Sequence, residues 1–168
     1  MKWSLPFLLI VLLVGCADAP QQKEAPVTQP DIRVQTGLGV FPALRETDSV
    51  QVLFYKNPFG TDSLRYYRFF TYLPTNETAV LDLIKAALDT AVVGMEQKKC
   101  RSEGKIYLLQ KGEILKTVYF NLRPGSCNHL YFIKDGVFYY LPVSAELETL
   151  LLQLKKQARE PRAGEVEE

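Results

Sequence analysis

The sequence predicts an α+β fold: an antiparallel sheet of about six strands with two helices packed on one face. Three observations carry that prediction. Lys111-Gly112 and Asp135-Gly136 each separate two apolar runs rich in β-formers, the signal of a two-residue hairpin whose central residues both take positive φ. Two other segments repeat their apolar residues at helical spacing along one side only, so each needs a sheet to cover. The resulting order is β-β-α-β-β-β-β-α, and strands joined by tight turns must run antiparallel.

In chain order, Val50–Tyr55 is the first strand, with Val50, Val52 and Phe54 on one side. Asn57–Asp62 is a loop by its turn residues. Leu64–Leu73 returns as a long strand, Arg65, Tyr67 and Phe69 opposite Leu64, Tyr66 and Phe70. Pro74 stops that strand, and Thr75 or Asn76 is a suitable cap for a helix. Val80, Leu81, Ile84, Ala87, Leu88 and Ala91 make one stripe on that helix, from about Glu77 to Val93, with Gly94 marking its end. Next come the two hairpins, Lys105–Gln110 with Ile114–Leu122 and His129–Lys134 with Val137–Val143. Tyr107–Gly112 and Tyr131–Gly136 echo one another, which hairpin convergence explains. Ser144 then caps a second helix carrying Leu147, Leu150, Leu151 and Leu154. Glu146 and Glu148 at its start and Lys155, Lys156 and Arg159 at its end match the helix dipole.

The ends have a different character. Lys2 followed by the short apolar run Leu5–Val14 is a targeting segment, since a bilayer span needs roughly 20 residues. Leu13-Val14-Gly15-Cys16 resembles the lipobox of bacterial lipoproteins. That resemblance implies that Cys16 carries lipid on its sulfur and that the signal is cut just before it. It also implies that the new amine is acylated, with palmitate a representative chain. Two or three chains on one residue hold a protein on a membrane, where a single chain binds marginally. Ala17 in place of aspartate resembles outer-membrane cargo facing the periplasm, by the sorting habit of enteric lipoproteins. The rest of the chain resembles small envelope lipoproteins of diderm bacteria in general character only, which transfers no functional residue. The expected organisation is therefore 1–16 signal peptide, 17–46 flexible tether with a candidate edge segment in Arg33–Leu44, 47–159 one α+β domain, and 160–168 disordered tail.

Composition narrows the partners. Without residues 1–16 the chain loses Lys2 and no acid, so its 20 Lys+Arg fall to 19 and equal its 19 Asp+Glu. A neutral chain argues against nucleic acid, whose binding calls for a basic face. With Cys16 committed to lipid, Cys100 and Cys127 remain as an even pair in an exported chain, and an oxidising envelope favours their disulfide. Zinc would want four ligands where the chain offers these two and His129, and Cys-x-x-Cys redox spacing is absent. No metal or cofactor is expected.

No catalytic set stands out. His129, the single histidine, has no triad partner beside it, and neighbouring Ser126 and Cys127 do not supply one. The acidic pairs Glu46/Asp48, Asp82/Asp89 and Glu146/Glu148 have ordinary capping or solvated roles. Gly37-Leu38-Gly39 lacks the context of a phosphate loop. Lys98, Lys99, Arg101 and Lys105 cluster around Cys100, either as a solvated exit or as a contact for lipid headgroups or an anionic glycan. The sharper feature is aromatic. With Leu130 and Phe132 facing the helices, Tyr131 and Ile133 face away, Tyr140 lies beside Tyr131 and Phe138 beside Ile133, and Tyr107 and Tyr119 join them if the register continues. Such a face suits a protein, peptide or glycan partner; cross-strand pairing, or cover from Arg33–Leu44 or a second subunit, is the plainer account. The expected function is a membrane-anchored envelope lipoprotein with a non-catalytic binding or structural domain. The alternative is an envelope hydrolase acting on cell-wall or glycan material.

Overall fold

Seven strands pair into one antiparallel sheet: β1 (Ser49–Tyr55), β2 (Phe70–Thr75), β3 (Val93–Met95), β4 (Gly104–Gln110), β5 (Glu113–Asn121), β6 (His129–Lys134) and β7 (Val137–Pro142). They stand in the order β2-β1-β4-β5-β6-β7-β3. This computed structural model describes residues 35–60, 70–95 and 97–162. The expected signal segment with Cys16, the expected tether through residue 34, the expected strand positions 64–69 and the expected tail from residue 163 lie outside the described residues.

Both hairpin turns form as their residues demand. Lys111 and Asp135 take φ of 52° and 51°, and the glycines after them 86° and 77°, the geometry that matches the twist of the flanking strands. Asp48 braces the first turn: its carboxylate accepts from the Lys111 N–H at 2.6 Å and the Ser49 hydroxyl at 2.8 Å. These bonds hold its pKa below the usual carboxylate range.

Helices α1 (Gly37–Val40), α2 (Thr78–Leu88) and α3 (Ala145–Gln157) complete the described regular elements with a 3₁₀ turn at Pro42–Glu46. Ser144 caps α3, its hydroxyl accepting from the Leu147 N–H at 3.2 Å. Val80, Leu81, Ile84, Ala87 and Leu88 of α2 and Leu147, Leu151 and Leu154 of α3 enter one core with the inward side chains of the sheet. Those inward residues include Val52, Phe54, Ile106, Leu108, Phe120, Leu130, Phe132 and Leu141. The expected α+β class holds, with both long helices on one face.

The sheet has a seventh strand because α2 stops at Leu88 rather than near Val93. Past Asp89 the chain carries Thr90, Val92 and Val93, β-branched residues that lose rotamer freedom in a helix and suit a strand. Val93-Gly94-Met95 instead pairs with Tyr140-Tyr139-Phe138 along the edge of β7. Three residues around a glycine show no alternation, so periodicity could not announce them. At the opposite edge, β2 runs through Pro74 to Thr75, which an edge strand tolerates because the missing N–H need not bond. Arg159, expected at the end of the second helix, lies beyond it and closes that edge by exchanging backbone hydrogen bonds with Tyr72 at 2.8 and 3.1 Å.

Residues 35–46, placed in the tether from sequence, pack within the domain on the helix side. Leu38, Val40 and Leu44 are buried in the core, and Val92 N–H donates to Gln35 O. Burying each such side chain stabilises by roughly 1.5–3 kcal/mol, more than the roughly 0.5–1 kcal/mol that a glycine costs in regular structure. Gly37 is required: a Cβ there would stand 2.5 Å from the Leu88 carbonyl oxygen. The aromatic face therefore receives no cover from this segment.

A different segment crosses that face. β3 lies outside β7, and β4 lies beyond β6 and β5. The link between them must traverse four strand spacings, roughly 19 Å. The chain from residue 97 to 103 can span that distance at roughly 3.3–3.6 Å per residue. It does so on the side away from the helices, because α2 and α3 already occupy the other.

Candidate functional site

The face opposite the helices divides into two aromatic clusters. The larger one comes directly from register: Tyr119 pairs with Tyr131, Tyr131 with Tyr140, and Ile133 with Phe138. Tyr119 and Tyr131 stack with ring centres 4.9 Å apart. Tyr131 lies 5.4 Å from Tyr140 and 5.9 Å from Phe138. Tyr107 is on the same face but belongs to a second cluster, buried with Leu53, Tyr72 and Leu109. The structure thus brings five of the six candidate face residues together and sets Tyr107 apart.

The strap from β3 to β4 decides how much of the larger cluster is open. The Lys98 backbone N–H donates to the Tyr140 hydroxyl at 2.8 Å, while its ammonium sits 4.7 Å from the centre of the same ring. Ser102 and Tyr131 share a hydroxyl–hydroxyl bond at 3.0 Å. Tyr140 is consequently only 5 % exposed. Tyr119, Tyr131 and Phe138 are half-buried, and Ile133 is exposed. Strand alternation could reveal which side these residues face. It could not reveal the strap, because that depends on strand order.

His129 lies under the same cover, with its ring edge-on to Tyr140 at 4.8 Å. Its Nδ1 has no hydrogen-bond partner among the described residues. Burial and the nearby Lys98 ammonium push its pKa below the ordinary 6.5, opposed in part by the nearby Ser126 backbone. The unfolded chain therefore binds the proton more readily. This contribution to stability is fully present above pH 6.5 and is lost as pH falls below it. Chemical denaturation between pH 7.5 and 5 should show stability falling by at most about 1.4 kcal/mol per pH unit. His129→Gln should remove that component of the slope, and an unchanged slope would defeat the assignment.

Cys100 and Cys127 are joined, with Cα atoms 5.7 Å apart. Their strands β4 and β6 are separated by β5, so the loops ahead of each lean together past the end of β5. Asn121, the last residue of β5 and 1 % exposed, ties the same region: its amide donates to the Arg101 carbonyl, and its side-chain oxygen accepts from the Arg123 N–H at 2.8 Å. Glu103 adds a bond to the Leu122 N–H at 2.9 Å. Sequence reasoning overlooked Asn121; an amide at a strand end, on the face where tyrosines otherwise stand, was the available signal.

The remaining candidates have structural surroundings. Asp89 accepts from the Thr36 hydroxyl at 3.0 Å, and Glu146 and Glu148 occupy the first turn of α3. Lys105 lies 4.6 Å from the centre of the Tyr107 ring. Among the described residues, no group of three or more His, Cys, Asp and Glu is placed to hold a metal ion. Protein-family models, curated proteins and solved structures provide no match to this chain.

Proposed function

We propose that this protein is a lipid-anchored component of the bacterial cell envelope, facing the periplasm from the outer membrane, whose domain acts by binding. The observation that carries the binding part is the surface left beside the strap, where Ile133 is 36 % exposed next to half-buried Phe138, Tyr131 and Tyr119. Rigid aromatic side chains bury large area at small entropic cost, which suits a protein, peptide or glycan partner. The anchor part rests on the Leu13-Val14-Gly15-Cys16 motif. His129 supports binding over hydrolysis, because it is enclosed beneath Tyr140 and Lys98 rather than presented to a substrate.

The test uses the full-length chain immobilised in detergent and exposed to envelope extract. A retained partner should be released by Ile133→Ser and by Phe138→Ser, each weakening binding by about tenfold or more. These substitutions leave the strap's hydrogen bonds to Tyr131 and Tyr140 in place. Retention equal to wild type in both variants removes the sheet face as the binding surface. In parallel, Cys16→Ser should abolish incorporation of a clickable fatty acid, and undiminished labelling removes the anchor.

A further inference from the structure

Next to the disulfide lies a cleft of about 370 Å³, lined by Phe59, Lys99, Arg101, Asn121, Arg123 and the two bonded cysteines. Among the described residues, three of its lining side chains are cationic and none is acidic. We propose that this cleft binds a phosphate group carried by a sugar or a lipid headgroup. It is separate from the aromatic surface and does not depend on that surface having a partner.

The first argument is the local concentration of charge. The chain without its signal segment is neutral, so these cations are not a sample of a generally basic surface. Glu103 lies between the carriers in sequence, but it is not among the residues that line the cleft, and its carboxylate accepts from the Leu122 N–H. A phosphate monoester carries about −1.5 to −2 charges at neutral pH. It therefore neutralises a three-cation cleft better than a single carboxylate does.

The second argument is how firmly the arginines are carried. One buried amide, Asn121, bonds the backbone of both Arg101 and Arg123. The disulfide joins the residue before Arg101 to the loop after Arg123. Two arginines from separate segments are thus set at one cleft before any ligand arrives, which lowers the entropy lost on binding. Arg101 donates one hydrogen bond from Nη1 to the Gly60 carbonyl at 3.0 Å, out of the five donors a guanidinium carries. Arg123 stacks on the Phe59 ring at 4.3 Å. Stacking occupies the guanidinium's face and leaves its edge, where the donors are, for a bidentate bond to phosphate oxygens. Phe59 is itself 41 % exposed and offers an apolar wall to the group bearing the phosphate.

The experiment titrates the full-length chain in non-ionic detergent and tracks the Asn121 side-chain amide and the arginine Nε–H signals by NMR. Glucose 1-phosphate represents a sugar phosphate, and dihexanoyl phosphatidic acid below its micelle concentration represents a headgroup. Saturable shifts are expected at the cleft, weakened about tenfold by Arg101→Gln and by Arg123→Gln. Arg123→Gln serves as the second variant, because its side chain contacts a ring rather than the Gly60 backbone. Lys155→Gln, in the last turn of α3, removes the same charge elsewhere and should leave binding unchanged. Saturation by either ligand with loss in the arginine variants upholds the site and names the source of the phosphate. No saturation by either, or equal weakening by Lys155→Gln, overturns it.

Discussion

Phe120→Ala is expected to lower the free energy of unfolding by about 3–5 kcal/mol, the usual cost of deleting a buried aromatic ring. Phe120 is 1 % exposed, and its ring meets Phe54 edge-on at 5.6 Å in the centre of the core. It lies across from Gly104 on the neighbouring strand, and the fit depends on that glycine having no side chain. A Cβ at Gly104 would come within 2.3 Å of the Phe120 ring and 2.1 Å of the Leu53 carbonyl oxygen. Gly104→Ala should therefore destabilise by at least the roughly 1–3 kcal/mol typical of overpacking. Combining the two separates the causes. Phe120→Ala relieves the ring contact but not the clash with the β1 backbone, so Gly104→Ala should remain harmful in that background. Urea unfolding of the four proteins supplies the cycle, and full rescue in the double variant would show that the ring alone sets the constraint.

Removing the Cys100–Cys127 bond should cost nearly as much. The two residues are 27 apart in sequence, and closing a loop of that length stabilises by ~3.5 kcal/mol in the chain-entropy model. Against the roughly 5–15 kcal/mol typical of a domain, that is a large share. Cys100→Ser and Cys127→Ser should have about equal effects, and the double variant should be scarcely worse than either. Asn121 and Glu103 continue to tie the same loops, so the damage should be concentrated in the strap. The Lys98 N–H, bonded to Tyr140 in the intact protein, should then exchange with solvent much faster. Two thiols from Cys100 and Cys127, titrated in the denatured and unreduced chain, would overturn the bond itself.

Much of the fold was legible because its determinants are local. Lys111-Gly112 and Asp135-Gly136 set both hairpins through positive φ, and a two-residue turn then leaves little choice of register. Tyr131 opposite Tyr140 and Ile133 opposite Phe138 result from that alone. Ser144 and the leucines behind it define α3 by capping and periodicity. The pairing of the cysteines needed only their number and the expected exported setting of the chain. The candidate site was half legible for the same reason: alternation assigns each aromatic to a face, and five of the six expected residues do gather on one surface.

Only the tertiary structure decided which segments lie against those surfaces. Val93–Met95 becomes a strand because β7 has an open edge beside it, and no property of three residues around a glycine states that. Leu38, Val40 and Leu44 leave the tether because a core on the helix side has room for them. The strap is a consequence of strand order. A link from the outermost strand to β4, four spacings in from that edge, has to cross the strands between, and the helices leave it one side on which to do so. That crossing buries Tyr140 and His129, and its far end, with Asn121, carries Arg101 and Arg123 to one cleft. Dihedral preferences and periodicity act over a few residues and are written in the chain. Strand order is set by which distant surfaces bury the most together, a quantity that exists only once they meet.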